Sequence, residues 1–242
     1  MELLDLKKET VRKDLGITED FGRIHTSIDF GNVNYWFDED RQDNDGVQLQ
    51  ESERLSIDLE KLKDFVGLFS EDARFYYGHD ATKIGSLGFL KASRSIFGQH
   101  RIVTKPIQKV RHDLTLEEIP LNTRITRTDS RGTFVYLPKC NFDVEISVDA
   151  MRLLDTYDTF CLLSSDADFV RLLHFLKGRD KKTILIKGGR ILHTLKDSAN
   201  LVINAQDIKK YITIKKQKPD QNGQALADRK LVSTSRTIQK GP

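Results

Sequence analysis

Cysteine is scarce: the chain of 242 residues has two, Cys140 and Cys161. Two thiols cannot make a disulfide framework or a four-thiolate zinc cage, and they favour a reducing compartment. Cys161 sits in an apolar run and reads as a small core residue. Long apolar runs are missing as well. Nothing approaches the 18 or so apolar residues a spanning helix needs, and the opening MELLDLKKETVRKD lacks the apolar core of a secretory signal. No membrane partner is expected, and the expected location is cytoplasmic. No unit recurs at a fixed period, which argues against a solenoid. There is no Gly-rich loop ending in Lys-Ser/Thr, so no nucleoside-triphosphate motif is present.

What the chain does have is a core and a divided charge. Hydrophobic residues make up 38% and charged residues 31%, enough for one large domain with a well-solvated surface. The net charge is +3, yet Lys215–Pro242 alone carries seven Lys or Arg against two Asp. The body is therefore slightly acidic and the tail basic. Such a division suits a cation site plus a hold on a polyanion, and equally a solvated tail.

Residues 1–20 place Leu3, Leu6, Val11 and Leu15 at helical spacing before Gly16, an N-terminal helix or arm. Arg23–Asp29 reads as a short strand ending in an acid. Asp38–Ser52 reads as a polar loop. Residues 54–69 suit an amphipathic helix, Ala73–Tyr77 a strand, 86–98 a helix and Arg101–Lys109 a strand. The run 110–138 alternates in places, and Asp129-Ser-Arg-Gly132 can close a hairpin, so a strand-rich insertion is expected across the active face. A regular unit follows: helix Asp143–Leu154, strand Thr159–Ser164, helix Asp168–Lys177, strand Lys182–Lys187, short helix Ile191–Ser198, strand Leu201–Asn204, and a helical turn at Asp207–Ile212. Short apolar strands alternating with helices imply an α/β fold with a mostly parallel sheet and helices on both faces.

In open α/β sheets, sites form beyond the carboxyl ends of the strands. Asp29 ends the first strand, and Asp166 and Asp168 follow Thr159–Ser164. Asp143 opens the helix leading into that strand. Converging carboxylates repel one another and are costly to desolvate, and a hard divalent cation relieves both. An oxygen-only set suits Mg²⁺ or Mn²⁺; such an ion can activate water and orient a phosphodiester. Asp29 and Asp166 are expected as primary ligands, Asp168 as a ligand directly or through water, and Asp143 as the fourth member. Asp149 lies six residues after Asp143, about 240° around a helix, so the two do not easily face one small ion. It can serve a second ion or a shell water, or pair elsewhere. Asn32 can orient Asp29 or contact a phosphate, and Ser164 and Ser165 can bond a carboxylate or the scissile phosphate. An Asp after a strand is also an ordinary turn or helix-cap residue.

Other groups have two readings. Lys187-Gly188-Gly189-Arg190 can bind phosphate. Arg124, Arg127 and Arg131 can line a groove for a nucleic-acid backbone or form a solvated hairpin edge. Tyr35, Trp36 and Phe37 can stack a base, though core packing is their commoner use. His79 with Asp80 can reach the same rim, and His174 in Leu-Leu-His-Phe-Leu reads as packed.

At these residues the sequence resembles the NYN domain, the branch of PIN-like nucleases that includes LabA-like proteins. The matching pieces are Ile28-Asp29-Phe-Gly-Asn32, then Lys139-Cys-Asn-Phe-Asp143 through Asp149-Ala-Met151, then Tyr157-Asp-Thr-Phe-Cys-Leu-Leu-Ser-Ser-Asp166-Ala-Asp168-Phe169. Lys182–Gly188 and the segment near Asp207 are also similar, so the resemblance covers about 23–212. It implies a Rossmann-like PIN sheet and a metal-dependent phosphodiesterase site, with Asp29, Asn32, Asp143, Asp149, Asp166 and Asp168 as the acidic or polar positions. Two departures are visible: the spacing from Lys139 to Asp143 is one residue longer than usual, and Ser165 stands where Gly is usual. The organisation expected is an arm at 1–20, an NYN/PIN-like domain at 21–212 with insertions near 38–56 and 110–138, and a basic flexible tail at 213–242. The function expected is metal-dependent hydrolysis of RNA, single-stranded or structured, with a homodimer or protein partner left open. The preference for RNA comes from the resemblance. Two alternatives stand: a non-catalytic RNA-binding or adaptor module on the same fold, and a metal-dependent DNA nuclease or phosphatase. A HAD-type phosphatase is disfavoured, because Asp29 is followed by Phe-Gly-Asn rather than by a second acid two residues on.

Overall fold

A computed structural model describes residues 3–122 and 125–218. Helix α1 (Leu3–Asp14) ends where Gly16 takes a φ of 72°, a left-handed conformation that suits glycine. Only its C-terminal half is anchored: Val11 and Leu15 are buried while Leu3 and Leu6 face solvent. Strand β1 (Ile24–Asp29) follows and runs directly into one helical turn, α2 (Phe30–Val33).

The next segment departs from the single helix expected over 54–69. Glu53–Ile57 is a strand, β2, and Leu59–Val66 the helix α3. Leu55 and Ile57 are buried and Arg54 is exposed, a spacing of two that belongs to a strand. Asp58 divides the elements; its side chain accepts from the Lys61 amide at 3.0 Å and caps α3.

Strand β3 (Asp72–His79), helix α4 (Ile84–Phe97) and strand β4 (Ile102–Pro106) come next. The strand expected over 101–109 breaks at Pro106, which has no amide to donate. Strands β5 (Gln108–Asp113), β6 (Arg127–Asp129) and β7 (Gly132–Lys139) form a separate antiparallel sheet in the order β5-β7-β6, with the expected hairpin between β6 and β7. This insertion leaves the main sheet at Pro106 and returns at Cys140, with Gln108 opposite Lys139 at its root.

Helix α5 (Asp143–Arg152), β8 (Thr159–Leu163), α6 (Val170–Lys177), β9 (Lys182–Lys187), α7 (His193–Asp197), β10 (Leu201–Asn204) and α8 (Ala205–Ile212) complete the alternation. Thr213–Gln217, assigned from the sequence to the tail, is strand β11 and pairs antiparallel with β2. Residues 219–242 of that tail lie outside the described residues.

The main sheet runs β10-β9-β8-β1-β3-β4, with every pairing parallel. All five residues of β8 are buried, as expected for a strand covered on both faces. One core lies under α2, α3, α4 and α8; the other, built on Tyr76, Phe160 and Leu162, lies under α5, α6 and α7. Cys161 is fully buried in the first, and burial pushes its thiol up to about 12. From β1 the chain proceeds to β3 and β4 on one side and later to β8, β9 and β10 on the other. The order therefore reverses between β1 and β8. No described helix is long and apolar enough to cross a membrane.

Candidate metal centre

The reversal opens a crevice at the carboxyl ends of β1 and β8, and the acids stand there. β1 delivers Asp29 as its last residue. After β8 comes Ser164, then a tight 3-10 turn at Ala167–Phe169 capped by Asp166, whose side chain accepts from the Asp168 amide at 3.0 Å. The capping role leaves Asp166 free for a ligand role as well, because a carboxylate has two oxygens and one cap bond uses one of them. Asp143 enters from the first turn of α5, fixed by Asn141: the Asn141 Oδ1 accepts from the Asp143 amide at 2.7 Å, and Nδ2 donates to the Asp143 carboxylate at 2.5 Å.

Asp143, Asp166 and Asp168 each bring a carboxylate oxygen within 4.8 Å of the others. Such a group could hold a divalent cation: the donors are hard, negatively charged and close together. Asp29 stands beside this trio rather than within it. Burial, followed by the charges of Asp143 and Asp166, raises its carboxyl to about 6 against the bond from Ser164. Asp143 is raised for the same reasons, burial first and then the neighbouring acids. In both, desolvation is the larger cause and the neighbouring carboxylates add to it.

The surrounding polar groups order this crevice. Ser164 is buried; its hydroxyl donates to Asp29 Oδ2 at 3.0 Å and accepts from the Asp166 amide at 3.2 Å, so one side chain links the two strand ends. Asn32 Oδ1 accepts from the Ser165 amide at 3.0 Å and from the Trp36 indole at 2.9 Å. Ser165 exchanges bonds with the Gly188 carbonyl (2.9 Å) and amide (3.0 Å), tying the end of β8 to the end of β9. Trp36 lies against Gly188 so closely that a Cβ there would stand 2.4 Å from its ring; glycine is required for the approach, not for its torsions.

Several expected residues stand elsewhere. Asp149 is not brought into the trio. It is buried on α5, its carboxylate 2.7 Å from Arg74 Nη1 and accepting from the Tyr76 hydroxyl at 2.9 Å, so it locks α5 onto β3. The helical angle between positions 143 and 149 is the reason. Lys187 turns its ammonium to the Gly189 carbonyl at 2.7 Å, and Arg190 is exposed. Arg127 lies over the Tyr136 ring at 5.4 Å, and Arg124 lies outside the described residues. Of the aromatic trio, Phe37 is core, Trp36 supports the crevice, and Tyr35 is 65% exposed. His79 bonds Thr104 Oγ1 at 2.9 Å, and His174 is exposed rather than packed, because it falls on the outer face of α6.

The sequence reading missed a cation. Lys105, near the end of β4, places its ammonium 2.6 Å from Glu145 Oε1 and 4.8 Å from the centre of the Phe142 ring. Its position one residue before a proline at a strand end was the available signal. Nothing local pointed to Arg74 and Tyr76 as partners of Asp149, since that depends on how β3 lies under α5.

An α/β sheet of this order, with acids gathered at its reversal point and an antiparallel insertion at its edge, has the architecture of a PIN-like domain. The chain belongs to the NYN domain family, whose profile matches residues 45–207, about two thirds of it. That span includes Asp143, Asp149, Asp166 and Asp168 but neither Asp29 nor Asn32. The chain is 29% identical over 86 residues to "Low amplitude and bright protein LabA" of Synechococcus elongatus (strain ATCC 33912 / PCC 7942 / FACHB-805). The match covers 35% of this chain and 46% of the relative, so the chain spans about half the length of that protein. Among solved structures, a protein of unknown function, VPA0982, from Vibrio parahaemolyticus RIMD 2210633 superposes with a TM-score of 0.52 at 20% identity, covering 79% of this chain and 96% of that one. That likeness speaks for the fold alone.

Proposed function

We propose that this protein is a LabA-like, metal-dependent ribonuclease of the cytoplasm, cleaving RNA phosphodiester bonds with Mg²⁺ or Mn²⁺ at the crevice between β1 and β8. The observation that carries the reading is the convergence of Asp143, Asp166 and Asp168 within 4.8 Å, with Asp29 half-buried beside them. The donor set fits the ion: all oxygen, with three carboxylates already close together. When bound, a divalent ion supplies Lewis-acid polarisation of the phosphodiester and a more acidic water.

The chain's own residues do the rest. Asp143, Asp166 and Asp168 would hold the ion. Asp29 sits at the end of a buried strand with its orientation fixed by Ser164, so it can complete the ligand set or accept a proton from an attacking water. Asn32 and Ser165 keep the β1, β8 and β9 ends in register, which fixes the spacing of the acids. Rigid positioning of this kind is what in-line displacement at phosphorus requires.

The test is cleavage of end-labelled single-stranded RNA, with a parallel DNA lane, in Mn²⁺, Mg²⁺ or EDTA. Wild type is compared with Asp29→Asn and Asp166→Asn. Metal-dependent products that both variants lack are the expected result. RNA retained without cleavage would replace this reading with a non-catalytic binding module, and cleavage of DNA alone would reassign the substrate.

A further inference from the structure

Among the described residues, Lys105 is a cation held at the border of the acid crevice, with the sheet on one side and the start of α5 on the other. β4 carries Lys105 to the same carboxyl-end edge that carries Asp29, since Lys105 is in register with Gly78 on β3 and Tyr76 with Asp29. From above, the start of α5 flanks the ammonium with Phe142 and Glu145, on either side of Asp143. An ammonium has three N–H donors. Glu145 takes one, and the other two have no protein acceptor among the described residues. The side chain is 37% exposed, so the remaining donors can be reached from outside.

Two other cations are arranged differently. Lys187 spends a donor on the Gly189 carbonyl within its own loop. Arg111 is committed to Asp113 and Asp129 and stacks at 3.8 Å on Phe134 in the insertion.

We propose that Lys105 is a substrate-contacting residue: its ammonium, parked on Glu145, binds a non-bridging oxygen of the RNA phosphate that lies at the acid trio. A polyanion approaching three carboxylates meets repulsion, and a pre-positioned ammonium at their edge offsets it. Glu145 holds the long side chain in place, so less freedom is lost when the phosphate arrives. This inference rests on the nuclease reading for the identity of the polyanion.

The experiment uses the full chain, with Lys105→Met and Lys105→Arg beside wild type, and melting temperatures as a check on folding. Binding of a fluorescein-labelled single-stranded RNA is measured against salt, Mn²⁺ affinity is measured with the metal alone, and KM and kcat are read where cleavage occurs. Lys105→Met is expected to weaken RNA binding and raise KM about tenfold or more, and to flatten the salt slope by about one counterion. It should tighten Mn²⁺ binding by roughly three- to tenfold, because a like charge has left the neighbourhood of the ion. Lys105→Arg should restore most of the RNA affinity. A merely structural lysine would weaken metal and RNA together, and that result would overturn the proposal. So would an unchanged RNA affinity and salt slope in Lys105→Met, or a wild type that binds no RNA. A wild type that binds RNA through Lys105 without cutting it would sink the nuclease reading and leave this one standing.

Discussion

Asp29 is the residue at which the site should cost the most stability. Desolvation, together with the charges of Asp143 and Asp166, raises its carboxyl to about 6 in the folded chain from an ordinary value near 3.8. The folded state therefore binds this proton more tightly than the unfolded state. Folding takes up a proton between about pH 4 and 6, and stability is lost as pH rises through that window. A difference of about two units at 1.36 kcal/mol each amounts to ~3 kcal/mol at pH 7. Asp29→Asn removes the charge and keeps the shape, so the metal-free variant should be more stable than wild type by roughly 2–4 kcal/mol at pH 7 and by little at pH 4. For a chain of this size that is a rise of about 5–10 °C in melting temperature. Mg²⁺ at ~100 times its dissociation constant should return about 2.7 kcal/mol to the wild type and much less to the variant. The assay is urea unfolding at pH 4, 5, 6 and 7 with EDTA or Mg²⁺, read as the difference between the two proteins at each pH. The difference matters because paired carboxylates elsewhere, such as Asp158 beside Arg23, are lowered and drive stability the other way. If the wild-type and variant curves stay parallel from pH 4 to 7, Asp29 carries no stored electrostatic cost and the reasoning is wrong.

Two further outcomes test the support of the site. Gly188→Ala sets a Cβ 2.4 Å from the Trp36 ring; the indole must move, breaking its bond to Asn32, for a cost of ~1–3 kcal/mol in a urea melt and a loss of cleavage. Asp149→Ala leaves Arg74 and the Tyr76 hydroxyl without their buried partner and should cost roughly 2–4 kcal/mol. Calorimetry on the protein that remains folded should nevertheless find its Mn²⁺ affinity within about threefold of wild type, because Asp149 anchors α5 and does not join the trio. A far larger loss of affinity would return Asp149 to the ligand set.

The sequence by itself determined the alternation of strands and helices from Asp143 onward. There each strand is a short apolar run and each helix has a period near 3.6, so the signal is local. It also determined which acids end strands: Asp29, Asp166 and Asp168 are strand-end or turn residues whatever the sheet order. Where local signals competed, the reading failed. Leu55 and Ile57 suit a strand and Leu59, Leu62 and Phe65 a helix, and the division at Asp58 depends on the cap it provides and on β11, a distant strand that pairs with β2. Only the tertiary structure decided that Asp149 serves Arg74 and Tyr76 while Asp143 serves the crevice, since a helix displays both and the sheet beneath selects. Only it decided that Lys105, rather than Arg101, Lys109 or Arg111 in the same stretch, stands against Phe142 and Glu145 on either side of Asp143, because β4 reaches that edge by pairing with β3.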